Sequence, residues 1–378
     1  MKSVYDMTTF KIQFMRTQLL TTIFVLLSVA LPGLAQKRTF ADAQKVAADF
    51  FQSKDNNAKV CALRVNSKCG RKLFKRAASA AQEATDAYYL FANEDNNRLL
   101  VVSGDERMQR ILGYTDHALV GNAVPDGLAD LLEGYAAQYA ALGAVPTISA
   151  SNAPARSALY KGERQLQTAA WGQWDPFNRM TPQAYPTGCA ATAMAIVMRY
   201  HQWPDVGNGS KTHIWTDSVM TAKFGETHYD WANMPMSYEK FNDTQATAVA
   251  LLMRHLGISV EMYYAAESSG ARQTLVPQAL AQYFRYGSTA RLLTASDYDA
   301  ATWDRMMRKE IDSNRPVIYT GESIQGRGAH GFVLDGYRDN LFHFNFGWNG
   351  SGNGYFAISA ITSTDRSFEF ANKQQAVI

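Results

Sequence analysis

Pro186-Thr187-Gly188-Cys189-Ala190-Ala191-Thr192-Ala193-Met194-Ala195-Ile196-Val197-Met198-Arg199-Tyr200-His201 is the stretch on which the reading of this chain turns. Apolar residues at periods of three and four (Ala190, Ala193, Met194, Val197, Met198) predict a helix from Cys189 to His201. Cys189 opens that helix. Unpaired backbone N–H groups and the helix dipole stabilise a thiolate there, which lowers the thiol pKa toward neutrality and suits a nucleophile. A lone cysteine is more commonly a small buried hydrophobe. Its place at a helix start, with a histidine and an asparagine downstream, tips the balance toward chemistry.

A thiol that transfers acyl groups needs a base, an orienter for the base, and donors for the developing oxyanion. His330, in Gly328-Ala329-His330-Gly331, is the candidate base, against the alternative of a structural histidine at a strand start. Asn345, in the second arm of a predicted hairpin, is the candidate orienter. A turn at Tyr337 and Arg338 would set it opposite His330, whereas a turn centred on Asp339 would set it opposite Val333. Asp335 competes for the role, although Gly336 beside it favours a turn. Gln173, sixteen residues before Cys189 in Trp171-Gly172-Gln173-Trp174-Asp175-Pro176, is the candidate oxyanion donor. Trp348 is a candidate wall for the site.

Around this centre the pattern is α+β. Helices are predicted at 243–256, 275–283 and 297–314, followed by strands at 316–320, 331–335, 341–346, 355–358 and 374–378. Earlier in the chain, a helix at 39–52, strands at 87–92 and 99–103, and a helix at 126–142 make a smaller α+β unit. Residues 143–168 have no consistent period and carry Pro146, Pro154, Arg156, Lys161 and Arg164, the composition of an exposed linker open to proteolytic nicking.

At 378 residues the chain can hold two cores, and 47% hydrophobic with 19% charged residues excludes a disordered chain. A formal net charge of +3 gives no argument for nucleic acid. Lys11 and Arg16 precede an apolar run from Leu19 to Leu31, and Gly33-Leu34-Ala35 places small residues where signal peptidase reads them. A signal peptide over 1–35 and export are expected. A stable membrane span is not, because the run is shorter than the ~20 residues a span requires. Cys61 and Cys69 could close a disulfide loop, leaving Cys189 as the odd thiol. His117, His201, His213, His228, His255 and His343 have no second ligand at metal spacing, so no metal is expected, and no cofactor motif occurs.

Together these residues resemble the streptopain family of secreted bacterial cysteine peptidases. The resemblance covers Gln173 to Pro176, Thr187 to Ala193, Tyr200-His201, Leu256 to Val260, Ser268 to Gly270, Pro316-Val317, His330 to Gly336, and Asn345 with Gly347-Trp348. It implies a papain-like catalytic domain over 151–378, in which the helix of Cys189 packs on an antiparallel sheet carrying His330. It also implies an inhibitory propeptide over 36–150, carried by Val101 to Asp105 and Ile111 to Tyr114. The expected activity is that of an endopeptidase zymogen acting on protein or peptide substrates, with an apolar side chain two residues before the scissile bond, and inhibited by its own propeptide. Phe346 stands where the family has a tryptophan, and the glycine-rich loop of streptopain near the C-terminus is missing. Two other readings use the same residues: a thiol amidase or transglutaminase-like acyl transferase, and a catalytically silent inhibitor or binding protein.

Overall fold

A computed structural model describes residues 37–55, 57–68, 71–76, 87–94, 97–143, 160–322, 329–359 and 374–378. The expected signal peptide, most of the linker, Cys69 and hence its pairing with Cys61, and the loop glycines Gly326 and Gly328 lie outside these residues.

The N-terminal unit runs α1 (Phe40–Gln52), β1 (Val60–Lys68), β2 (Arg71–Arg76), β3 (Tyr88–Asn93), β4 (Leu99–Ser103), β5 (Ile111–Thr115) and α2 (Asp126–Gly143). Helix α1 starts on a capping box, with Thr39 and Asp42 satisfying each other's backbone N–H. The C-terminal unit continues with β6 (Glu163–Gln165), α3 (Cys189–His201), β7 (Lys211–Trp215), β8 (Ser218–Ala222), α4 (Asp243–Ser259), α5 (Leu275–Tyr283), β9 (Leu292–Thr294), α6 (Ala300–Asp312), β10 (Val317–Glu322), β11 (Ala329–Arg338), β12 (Leu341–Asn345), β13 (Gly354–Phe356) and β14 (Gln375–Val377). The α+β layout expected from the pattern is what forms.

Three differences have physical reasons. Helix α4 does not stop at Gly257 but runs on to Ser259, because this glycine makes room for a neighbour: a Cβ there would lie 1.9 Å from the Tyr264 hydroxyl. The end of the expected linker is a strand, since Glu163 to Gln165 pair with Arg338 to Gly336. The hairpin β1–β2 escapes periodicity because its tip is polar, with Arg64, Asn66, Ser67 and Lys68 in one arm.

The two units share one twelve-stranded sheet, in the order β2-β1-β3-β4-β5-β13-β12-β11-β10-β14-β9, with β6 added on β11. The seam is β5 against β13, pairing Gly113 with Phe356, Tyr114 with Tyr355 and Thr115 with Gly354. Two glycines permit it. A Cβ on Gly113 would lie 2.1 Å from the Phe356 ring, and one on Gly354 would lie 2.2 Å from the Tyr114 carbonyl oxygen.

Strand alternation divides the C-terminal sheet into two faces. Ile318, Val333 and Val377 join the core of α3, α4 and α5, whereas Phe332, Leu334, Phe344 and Phe346 join Trp303 and the core of the N-terminal unit. Helix α3 is buried all round from Ala190 to Met198, which is why its sequence is alanine-rich and only weakly amphipathic.

Candidate active site

Gly188 sets the start of α3. Its φ of 85° is in the region that favours glycine, and a Cβ there would meet Met262 Sδ at 2.6 Å. Its carbonyl accepts from the Thr192 N–H and hydroxyl, each at 3.1 Å, and Thr192 pairs with the Thr187 hydroxyl at 2.8 Å. The Thr187 N–H donates to the Gln173 carbonyl at 3.1 Å. The Gln173 loop is therefore tied through its backbone to the residue two places before Cys189.

The Cys189 thiol is not depressed toward neutrality as its helix position predicts. Burial pushes its pKa up; hydrogen bonds from the Gly331 and Ala190 N–H groups oppose this, and the carboxylates of Asp126 and Asp130 add to the rise. Asp126 opens α2 and Asp130 lies one turn further along it, so the N-terminal unit adds to the rise that burial causes.

The same end of α2 holds His330. Its Nδ1 donates to Asp130 Oδ2 at 2.7 Å, and its Nε2 stands 3.8 Å from Asp126 Oδ2. Asp130 is nearly sealed, at 3% side-chain exposure, and His330 is at 21%. Gly127 lets the helix end approach so closely: a Cβ there would lie 2.6 Å from the Phe332 ring and 2.8 Å from Phe346. Acidic residues at a helix N-terminus also complement its dipole.

The register of β11 and β12 settles the position of Asn345. Arg338 pairs with Leu341, so the turn is at Asp339 and Asn340, and a bulge between Leu334 and Gly336 then shifts the register by one so that Asn345 faces Val333. Asn345 thus lies on the α3 face, while His330 and Phe332 alternate onto the α2 face. Gly331, between them, backs directly on α3, where a Cβ would lie 3.5 Å from the Cys189 carbonyl oxygen. The Asn345 amide donates to Thr168 Oγ1 at 3.0 Å and to the Ala169 carbonyl at 2.9 Å, and its oxygen accepts from the Gly347 N–H at 3.1 Å. In this state it orients the loop around Thr168.

Asp335 is neither a turn residue nor a partner of His330. It is buried at the bulge of β11, accepting from His343 Nδ1 and from the Thr168 hydroxyl. His343 Nε2 in turn faces Asp116 of the N-terminal unit, 3.2 Å from Oδ2. Burial works against charge on His343, but the two carboxylates outweigh it and push its pKa up to about 10. Burial likewise opposes charge on Asp116, and hydrogen bonds from His117 and His343 hold its carboxyl well below the usual range. Trp348 is partly buried against the cluster that holds Phe332 and Phe346, and Asn349 beside it donates its N–H to the Trp171 carbonyl at 3.0 Å, which joins this segment to the Gln173 loop.

Sequence reasoning missed Asp126, Asp130, Thr168 and His343. Each acts on a residue far away in the chain, Asp130 and His330 being 200 positions apart. The acidic first turn of α2 was the one local signal available. Among the described residues, no helix is long and apolar enough to cross a membrane.

Comparison with known proteins agrees with this architecture. The model of the Peptidase C10 family matches residues 171–356, and that of the Spi protease inhibitor matches residues 35–139. The thiol protease/hemagglutinin PrtT of Porphyromonas gingivalis is 32% identical over 366 residues, covering 89% of this chain and 40% of that protein. Streptopain of Streptococcus pyogenes is 29% identical over 293 residues, covering 71% of this chain and 73% of that protein. The chain thus spans about two-fifths of PrtT and about three-quarters of streptopain. Among solved structures, a prointerpain A fragment from Prevotella intermedia superimposes with a TM-score of 0.66 at 28% identity, over 84% of this chain and 98% of that one. Active interpain A from the same organism is 33% identical, with a TM-score of 0.52, over 58% of this chain and 96% of that one. The chain belongs to the Peptidase C10 family of papain-like cysteine proteases and carries a Spi-type inhibitor domain ahead of its catalytic domain.

Proposed function

We propose that this chain is the exported zymogen of an endopeptidase in which Cys189 is the nucleophile and His330 the base, silenced by the N-terminal end of α2 and activated by cleavage within the 143–168 linker. One observation carries the reading: the imidazole expected to serve Cys189 is bonded instead to Asp130 of the inhibitor domain, on the opposite face of β11. An imidazole held on the face of β11 turned away from Cys189 is not placed to take the thiol proton, and burial, with Asp126 and Asp130 nearby, raises the thiol pKa further.

Departure of the inhibitor removes Asp126 and Asp130. His330 then turns to the α3 face, the Sγ proton moves to its ring, and a thiolate–imidazolium pair forms. Sγ attacks the scissile carbonyl, and the oxyanion accepts from the Cys189 N–H and the Gln173 side-chain amide. The imidazolium gives its proton to the leaving nitrogen as the C–N bond breaks. Water then attacks the thioester with His330 taking its proton, and the S–C bond breaks to release the acid. Asn345 holds the ring in this state, and Trp348 walls the site. The substrates are unfolded or flexible protein segments. Export through the apolar segment before Ala35 delivers the zymogen outside the cell.

The test is to incubate the purified chain under mild reducing conditions beside its Cys189→Ala variant and follow both by intact mass. Loss of about 11 to 14 kDa by the unsubstituted chain alone, the mass of roughly 100 to 130 residues, supports the reading. If neither shortens, trimming both with trypsin and assaying casein decides. No Cys189-dependent casein cleavage overturns it.

A further inference from the structure

Away from Cys189, three side chains that the sequence scatters converge at the seam of the shared sheet. Asp116 and His117 follow β5 of the inhibitor domain, and His343 lies on β12 of the catalytic domain. Each offers one ligand atom, and all three atoms lie within 4.8 Å of one another. The His117 Nδ1 is 2.8 Å from Asp116 Oδ1, and His343 Nε2 is 3.3 Å from the same oxygen. A tetrahedral zinc ion with bonds of about 2.0–2.1 Å needs its ligands roughly 3.4 Å apart, so small side-chain rotations close the set.

The second observation lies behind the ligands. His343 Nδ1 donates to the buried Asp335, which itself accepts from Thr168, so that Nε2 is aimed at the mouth. A carboxylate behind an imidazole is the arrangement that fixes and strengthens a metal-binding histidine. The site also has an entrance, since His117 is 53% exposed while His343 is 2% exposed.

We propose that Asp116, His117 and His343 bind a divalent transition ion, with zinc the best fit to two imidazoles and one carboxylate, and that this ion pins the inhibitor domain to the catalytic domain. Water completes the coordination. Two of the three ligands leave with the inhibitor domain, so the ion binds the zymogen and not the processed enzyme, and it stabilises the joined state by mass action. The inference stands apart from catalysis and survives if the peptidase reading fails.

The experiment is calorimetric titration of zinc chloride into the full chain carrying Cys189→Ala, which removes self-cleavage and the Cys189 thiol. One saturable site per chain is expected, with a raised melting temperature. Adding His117→Ala, an exposed substitution that leaves the fold intact, should weaken binding at least tenfold, as should Asp116→Asn. Calcium, which prefers oxygen ligands, should produce neither effect. Absence of saturable zinc binding, or an affinity unchanged by His117→Ala, overturns the proposal.

Discussion

Two imidazoles of the catalytic sheet, His330 and His343, each meet carboxylates of the inhibitor domain, and they differ in what they keep when that domain leaves. His330 is held by Asp126 and Asp130 alone among the carboxylates described around it, both from α2. His343 is held by Asp116 from outside and by Asp335 from its own hairpin. Removing the inhibitor takes Asp126 and Asp130 away from the first and leaves the second its buried Asp335. The contrast separates a residue held out of use from one that stays part of the frame.

The comparison breaks most decisively at His330. We expect His330→Ala, like Cys189→Ala, to lower casein turnover by roughly 10⁶-fold with little change in melting temperature, the scale on which a nucleophile or its base acts. Asp335→Ala should do the reverse, destabilising the fold by about 3–5 kcal/mol because it leaves a charged imidazole buried without its inner partner. A melting temperature within a degree of the unsubstituted chain would place His343 outside the frame.

Smaller effects sharpen the contrast. Gly127→Ala would drive a methyl group into Phe332 and Phe346, costing the docking of α2 about 1–3 kcal/mol. Self-processing followed by intact mass should then accelerate by roughly 5- to 150-fold. Asp130→Asn should act in the same direction by weakening the hold on His330, and an unchanged rate in both variants would uncouple α2 from latency. The smallest effect is on pH. With its pKa raised from about 6.5 to about 10, His343 contributes stability that is complete below about pH 6.5 and lost as the pH rises through 10. Asp116, held low, contributes stability above about pH 4 that is lost in acid. Thermal melts of the Cys189→Ala chain should therefore fall from neutral pH toward pH 10, and less steeply with Asp116→Asn.

What could be read from the chain alone follows the range of each interaction. Cys189 and its helix were legible because Gly188 and the alanine periodicity are local. Asn345 was legible as a residue but not as a partner, since its face depends on whether the turn falls at 337–338 or is centred on Asp339, and in the end on a bulge at Asp335 that no local pattern announces. The restraint on His330 was hidden, because nothing in Asp126-Gly127-Leu128-Ala129-Asp130 says which strand it will meet. The metal-ligating group was hidden in the same way: His117 and His343 have no shared spacing until β5 and β13 join. The seam itself was invisible because the strand expected at 355–358 carries no sign that its partner would be β5, more than 200 residues earlier.

That seam has a consequence for the processed enzyme. While the inhibitor domain is present, Gly354–Phe356 is an interior strand with neighbours on both sides. Once β5 departs, it becomes a bare border with unsatisfied N–H and C=O groups, the kind of surface through which proteins stick to one another. Its brevity is then protective: three residues, one of them glycine, give too short a template for another chain to extend the sheet.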